Sequence, residues 1–142
     1  LLASSAASDV YKRQVRGICC LRAGVPDETD NIHIISIVGR YLEHSRIYIF
    51  GRGERARYYI GSADWMTRST LRRVEIAAPV TAPTLKARLQ HIFNTMLADN
   101  SNARVQQADG NYVRRMPGAD AVDCQAQFYE EAYQANVHSD LK

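Results

Sequence analysis

The chain has 142 residues, 46% of them hydrophobic, with 18 Lys and Arg against 15 Asp and Glu for a net charge of +3. That length suffices for one domain with a real core and no more. No stretch reaches the roughly 20 apolar residues of a spanning helix, so a soluble product is expected, and the small charge excess specifies no partner by itself.

Residues 1–14 differ from the rest. They are rich in Ala and Ser, and no apolar period in them would bury a helix or strand. No basic start precedes a continuous apolar run, which excludes a signal peptide. The text Ala3-Ser4-Ser5-Ala6-Ala7-Ser8-Asp9-Val10-Tyr11-Lys12-Arg13-Gln14 resembles translated sequencing-adapter DNA. It is read as a non-native leader and left out of fold reasoning, with the domain proper over 15–142. Without Asp9, Lys12 and Arg13 the net charge is +2.

In chain order, Val15–Leu21 is a short apolar β-forming run and 22–30 a loop. Ile32–Val38 reads as a sheet strand covered on both faces. Arg46–Phe50 and Ala56–Ile60 flank a glycine-containing turn and form a hairpin. Residues 64–71 read as irregular, and Arg73–Ala78 as a strand ended by Pro79. Thr81 can cap a helix with Pro83 in its first turn. Leu85, Leu89, Ile92, Phe93, Met96 and Leu97 then recur at helical spacing to about Ala98. Ala103–Gln107 and Tyr112–Arg115 flank Asp109-Gly110 as a second hairpin. A final helix with Asp120 as its cap presents Val122, Ala126, Tyr129 and Tyr133 on one face. The order predicts an α/β domain, a mixed sheet with flanking helices.

Cys19, Cys20 and Cys124 form neither a disulfide framework nor a metal-ligand spacing. They read as small buried hydrophobes of a reducing cytoplasm. Arginine is the dominant base, fifteen against three lysines. Its planar fork of donors matches paired phosphate oxygens, whereas an ammonium is a point charge.

Candidate chemistry centres on His44-Ser45-Arg46 and Gly61-Ser62-Ala63-Asp64. An imidazole near neutral pKa can take, give or relay a proton during phosphoryl transfer. Arg46, two residues on, projects to the same side if the segment is a strand, so ring and guanidinium can face one anion. Ser62 adds a neutral donor, and Asp64 can orient His44 or Arg46. Arg16 sits in an apolar strand, where an unpaired guanidinium is costly. It needs an anion, either Glu75, Asp64 or a bound phosphate. His33, His91 and His138 read as structural or solvent-facing, and Trp65 and Met66 as core closure beneath the Gly-Ser turn.

The His44-x-Arg46 and Gly61-Ser62-x-Asp64 pair resembles a drifted HxK and GSxN pattern of the phospholipase D superfamily. Lys is replaced by Arg46, and the Asp usual seven residues after the histidine is replaced by Gly51. The wider text, Val15-Arg16-Gly17-Ile18-Cys19-Cys20-Leu21-Arg22, Ile35-Ser36-Ile37-Val38-Gly39-Arg40 and Gly61-Ser62-Ala63-Asp64-Trp65-Met66, resembles the last domain of type 1 bacterial polyphosphate kinases. The likeness runs from Val15 to about Arg115. It implies a phospholipase D-like fold truncated at its start, in a C-terminal fragment of a longer enzyme.

By that resemblance, Arg16 and His44 are the contacts to nucleotide phosphates, with His44 catalytic and Arg46, Ser62, Asp64 and Arg68 in support. Similar kinases follow Trp-Met with Arg-Asn, where this chain has Arg68-Ser69. The implied reaction passes the terminal phosphoryl group of ATP reversibly to polyphosphate through a phosphohistidine in a preceding domain. Mg2+ ligands are expected in that domain and none here. Expected partners are ATP or ADP, polyphosphate, the upstream domains and further copies in a full-length homo-oligomer, in the cytoplasm. Peripheral membrane association is left open and nucleic acid is not expected. Two rivals are a phosphodiesterase or nuclease half of the phospholipase D superfamily and a non-catalytic polyanion-binding module.

Overall fold

The computed structural model describes residues 2–5, 11–14, 21–63, 67–118 and 120–139. The strands are β1 (Leu2–Ser5), β2 (Tyr11–Gln14), β3 (Ile32–Ile37), β4 (Ile47–Phe50), β5 (Arg57–Gly61), β6 (Ala77–Val80), β7 (Ala103–Gln106) and β8 (Tyr112–Arg114). The helices are α1 (Thr67–Leu71), α2 (Pro83–Ala98) and α3 (Cys124–Ser139). Arg16, Cys19, Cys20, Asp64, Trp65 and Met66 lie outside the described residues.

The strands form one sheet in the order β6-β5-β4-β2-β1-β3-β7-β8. The α/β class with flanking helices holds. Every described ladder is antiparallel, however, where a mixed sheet was expected. Short connections explain two of these pairings. Residues 51–56 between β4 and β5, and 107–111 between β7 and β8, are too few for a parallel crossover.

Residues 2–14 were expected to contribute no strand, and here the reading is corrected. β1 and β2 pair with each other and lie between β3 and β4, joining two three-stranded groups, β6-β5-β4 and β3-β7-β8. The ladder needs only backbone N–H and C=O groups, which any non-proline segment supplies. Hydrophobic patterning therefore did not reveal these strands.

The main buried cluster lies on one face of the sheet, while Ile34 and Tyr48, at the intervening strand positions, are buried on the other. Ile35 on β3 and Ile47 and Ile49 on β4 meet Phe93 and Met96 of α2 and Cys124 of α3, all buried. These are alternate strand positions, so they share a face. The α2 stripe behaves as its spacing predicts, except that Leu85 near the start is 52% exposed. α2 opens on Pro83 with Ala82 as its cap, not Thr81, and no side chain satisfies that end.

Three further expectations change. The strand assigned to 73–78 runs from Ala77 to Val80 and includes Pro79, which an outermost strand tolerates because one side of its backbone has no partner. α1 is a helical turn in a segment read as irregular. α3 is capped by Asp123, whose Oδ1 accepts the N–H groups of Gln125 and Ala126 at 3.0 Å each, and not by Asp120. Its packed face is Cys124 and Phe128, four residues apart, while Tyr129 and Tyr133 are 62% and 55% exposed.

Candidate functional site

β3 ends and β4 begins at the same end of the sheet, and residues 38–46 connect them there. His44 lies in that connection, exposed, three residues before β4 starts at Ile47. Contrary to expectation, strand alternation therefore does not place His44 and Arg46 on one face. A hydrogen bond joins them instead, with Arg46 Nη1 donating to the carbonyl oxygen of His44 at 3.0 Å. The connection is further tightened by Ser45 N–H donating to Glu43 Oε1 at 2.7 Å.

The Gly-Ser turn does arrive where expected. Ile47 pairs with Ile60 across the β4–β5 ladder, and Gly61 N–H donates to the Arg46 carbonyl at 3.0 Å. Residues 44–46 and 61–62 are thus neighbours at one sheet end. The glycine has a steric reason. A Cβ at residue 61 would lie 2.9 Å from Tyr48 Cε2 and 3.2 Å from the Ile76 carbonyl, and Tyr48 Oη donates to the Ala63 carbonyl at 3.0 Å just beyond.

Ser62 has a different set of partners from the one anticipated. Its hydroxyl donates to Glu75 Oε2 at 2.5 Å and accepts the Ile76 N–H at 3.0 Å. The single hydroxyl proton is taken by a carboxylate, so in this state Ser62 offers an approaching anion no donor. Arg68 is exposed on α1, beside Ser69, which is 5% exposed and whose Oγ has no hydrogen-bond partner among the described residues. Arg16 and Asp64 fall outside the described residues.

Sequence reasoning missed the residues that hold this end of the molecule in place. Asp99, fully buried after α2, accepts the N–H groups of Asn102 and Ala103 on Oδ1 at 2.8 and 2.9 Å, and that of Cys124 on Oδ2 at 2.9 Å. Burial alone would raise its pKa, but the N–H groups of Cys124, Asn102 and Ala103 together hold it below the usual 3.8. The Cys124 thiol is pushed up to about 12 by burial and by the Asp99 carboxylate beside it, which makes it inert. Arg115 Nη1 closes the same corner, donating to the Leu97 and Asp99 carbonyls at 2.6 and 3.0 Å. One residue beyond Cys124, the Gln125 side chain reaches back to Tyr41 in the His44 connection: Tyr41 N–H donates to Oε1 at 2.9 Å, and Nε2 donates to the Tyr41 carbonyl at 2.7 Å.

Other features lie elsewhere. A cavity of about 310 Å³ lined by Gly24, His33, Gln106 and Gln107 sits at the far end of β3. His91 on α2 pairs with Glu131 on α3 at 3.0 Å. Among the described residues, no group of three or more His, Cys, Asp or Glu is arranged to hold a metal ion. Nor is any described helix long and apolar enough to cross a membrane.

A helix-flanked sheet with a His-x-Arg connection entering β4 and a Gly-Ser turn leaving β5 defines a phospholipase D-like domain of the polyphosphate kinase kind. The chain belongs to the family described as polyphosphate kinase C-terminal domain 2, whose model matches residues 2–127. It is 51% identical over 119 residues to a polyphosphate kinase of Synechocystis sp., covering 84% of this chain and 16% of that one. A polyphosphate kinase of Bacillus anthracis is 47% identical over 121 residues, covering 84% and 17%. The crystal structure of polyphosphate kinase from Porphyromonas gingivalis matches with a TM-score of 0.73 at 37% identity, over 84% of this chain and 18% of that one. The chain therefore spans about a sixth of the length of these relatives.

Proposed function

We propose that this chain supplies the C-terminal part of the active site of a polyphosphate kinase, an ATP–polyphosphate phosphotransferase. The terminal phosphoryl group leaves ATP as its bridging P–O bond breaks, passes to a histidine nitrogen in a preceding domain, and then to the terminal oxygen of polyphosphate, reversibly. His44 is the second imidazole of that site, and it stabilises or exchanges a proton with the transferring group. Arg16 neutralises phosphate charge beside it, with Arg46, Asp64 and Arg68 in support. The Ser62 hydroxyl joins them only on leaving Glu75. Mg2+ is held by the upstream domain, and no step here runs through it. In this reading the full-length enzyme is a cytoplasmic homo-oligomer.

The observation that carries the proposal is the meeting of His44-x-Arg46 with Gly61-Ser62 at one sheet end, through the Gly61 N–H to Arg46 carbonyl bond, in a chain about half identical to polyphosphate kinases. Because the phosphorylated histidine lies upstream, the 142-residue chain is expected to bind tripolyphosphate yet make no polyphosphate from ATP. Robust synthesis by the purified chain would refute that division of labour. Loss of tripolyphosphate binding in His44→Ala supports the site. Unchanged, strongly salt-dependent binding in His44→Ala would instead favour a plain polyanion-binding module, and cleavage of a chromogenic phosphodiester would favour the nuclease reading.

A further inference from the structure

The two hydrogen bonds between Gln125 and Tyr41 span 84 residues of sequence and tie the first turn of α3 to the connection that carries His44. A primary amide is the one side-chain group that offers a donor and an acceptor side by side, so it can pair with both the N–H and the C=O of a single extended residue. Neither Glu nor Ala can do both. Gly39 makes room for it, since a Cβ there would stand 2.4 Å from Gln125 Oε1 and 2.7 Å from its Cδ. The amide itself is held from behind, because Asp99 fixes the Cys124 N–H and Asp123 fixes the Gln125 N–H.

We propose that Gln125 is a positioning residue for His44, clamping residues 39–41 so that the exposed imidazole three residues on is held where phosphate can meet it. The inference rests on the reading of His44 as a phosphate-site residue. Without the clamp, residues 38–46 keep their strand anchors at both ends but sample other paths between them. Only the fraction with His44 in place then binds, and the apparent dissociation constant rises by the inverse of that fraction.

The full 142-residue chain tests this with inorganic tripolyphosphate as probe, read by calorimetry and by the His44 ring resonances. Gln125→Ala removes the amide. Gly39→Ala pushes it away from the opposite side, at a position whose φ an alanine accepts and against the flexible end of a side chain, so folding should survive. Each variant is expected to weaken binding about tenfold, and the double variant no further, because both break one device. Gln125→Glu, which keeps the acceptor but loses the donor, should fall between. Tyr41 amide exchange should accelerate in Gln125→Ala and Gly39→Ala with thermal midpoints close to the parent.

If both single variants bind tripolyphosphate as the parent does while His44→Ala binds poorly, Gln125 has no positioning role. Independent, additive losses would equally overturn the shared clamp. If His44→Ala binds as the parent does, the reading of His44 fails first and the role of Gln125 with it.

Discussion

Exchanging Asp99 for asparagine alters one atom and should uncouple one helix. In the wild-type chain Oδ1 faces the N–H groups of Ser101, Asn102 and Ala103, and Oδ2 faces that of Cys124. An amide has one oxygen. Turning it toward three donors keeps the α2–β7 corner and sets Nδ2 against the Cys124 N–H, two donors face to face. Leaving one buried N–H unsatisfied costs about 1–3 kcal/mol. Asp99→Ala orphans the buried Ala103 and Cys124 groups together and should cost roughly 2–6 kcal/mol, a large part of a domain's ~5–15. Urea unfolding gives the totals, and amide exchange locates them. Asp99→Asn should lose protection at Cys124 while Ala103 keeps it. Equal loss at both amides, or an unfolding free energy within about 0.5 kcal/mol of wild type, would refute the carboxylate as the link between α2 and α3. The acid limb gives a second check. Asp99 titrates below 3.8 when folded, so the unfolded chain binds its proton more readily. Its contribution is complete above the unfolded pKa and is lost as pH falls through the lower folded value, and Asp99→Asn should flatten that loss.

Gly61→Ala forces a Cβ to 2.9 Å from the Tyr48 ring and 3.2 Å from the Ile76 carbonyl, and overpacking of this kind costs about 1–3 kcal/mol, measurable by urea titration. A neutral result would mean that Tyr48 swings away freely. Deleting residues 1–14 removes the two strands between β3 and β4 and exposes both strand edges. The truncated chain should lose cooperative unfolding and elute as oligomers in size-exclusion chromatography, and a monomer with an unchanged melting midpoint would refute the pairing's importance. Glu131→Gln breaks the exposed pair with His91 and should shift stability by less than about 1 kcal/mol, fading further in salt. A larger loss would show that α3 depends on that contact.

Local periodicity determined a good share of the fold. The α2 stripe, the β4–β5 and β7–β8 hairpins and the short strand through Ile34 and Ile35 follow from apolar spacing and turn residues, because each is stabilised by contacts close in sequence or by one buried face. The His44-x-Arg46 and Gly61-Ser62 pattern was legible as residue types at a fixed spacing, and the β4–β5 ladder brings its two halves to one sheet end. Tertiary structure alone decided the rest. β1 and β2 enter the sheet through backbone groups that composition does not mark. Ser62 finds Glu75, Asp99 gathers N–H groups from two elements, and Gln125 clamps Tyr41 across 84 residues. Such bonds have no period along the chain, since a polar side chain's partner is set by where the fold brings a bare N–H or C=O, and only the folded arrangement holds that information.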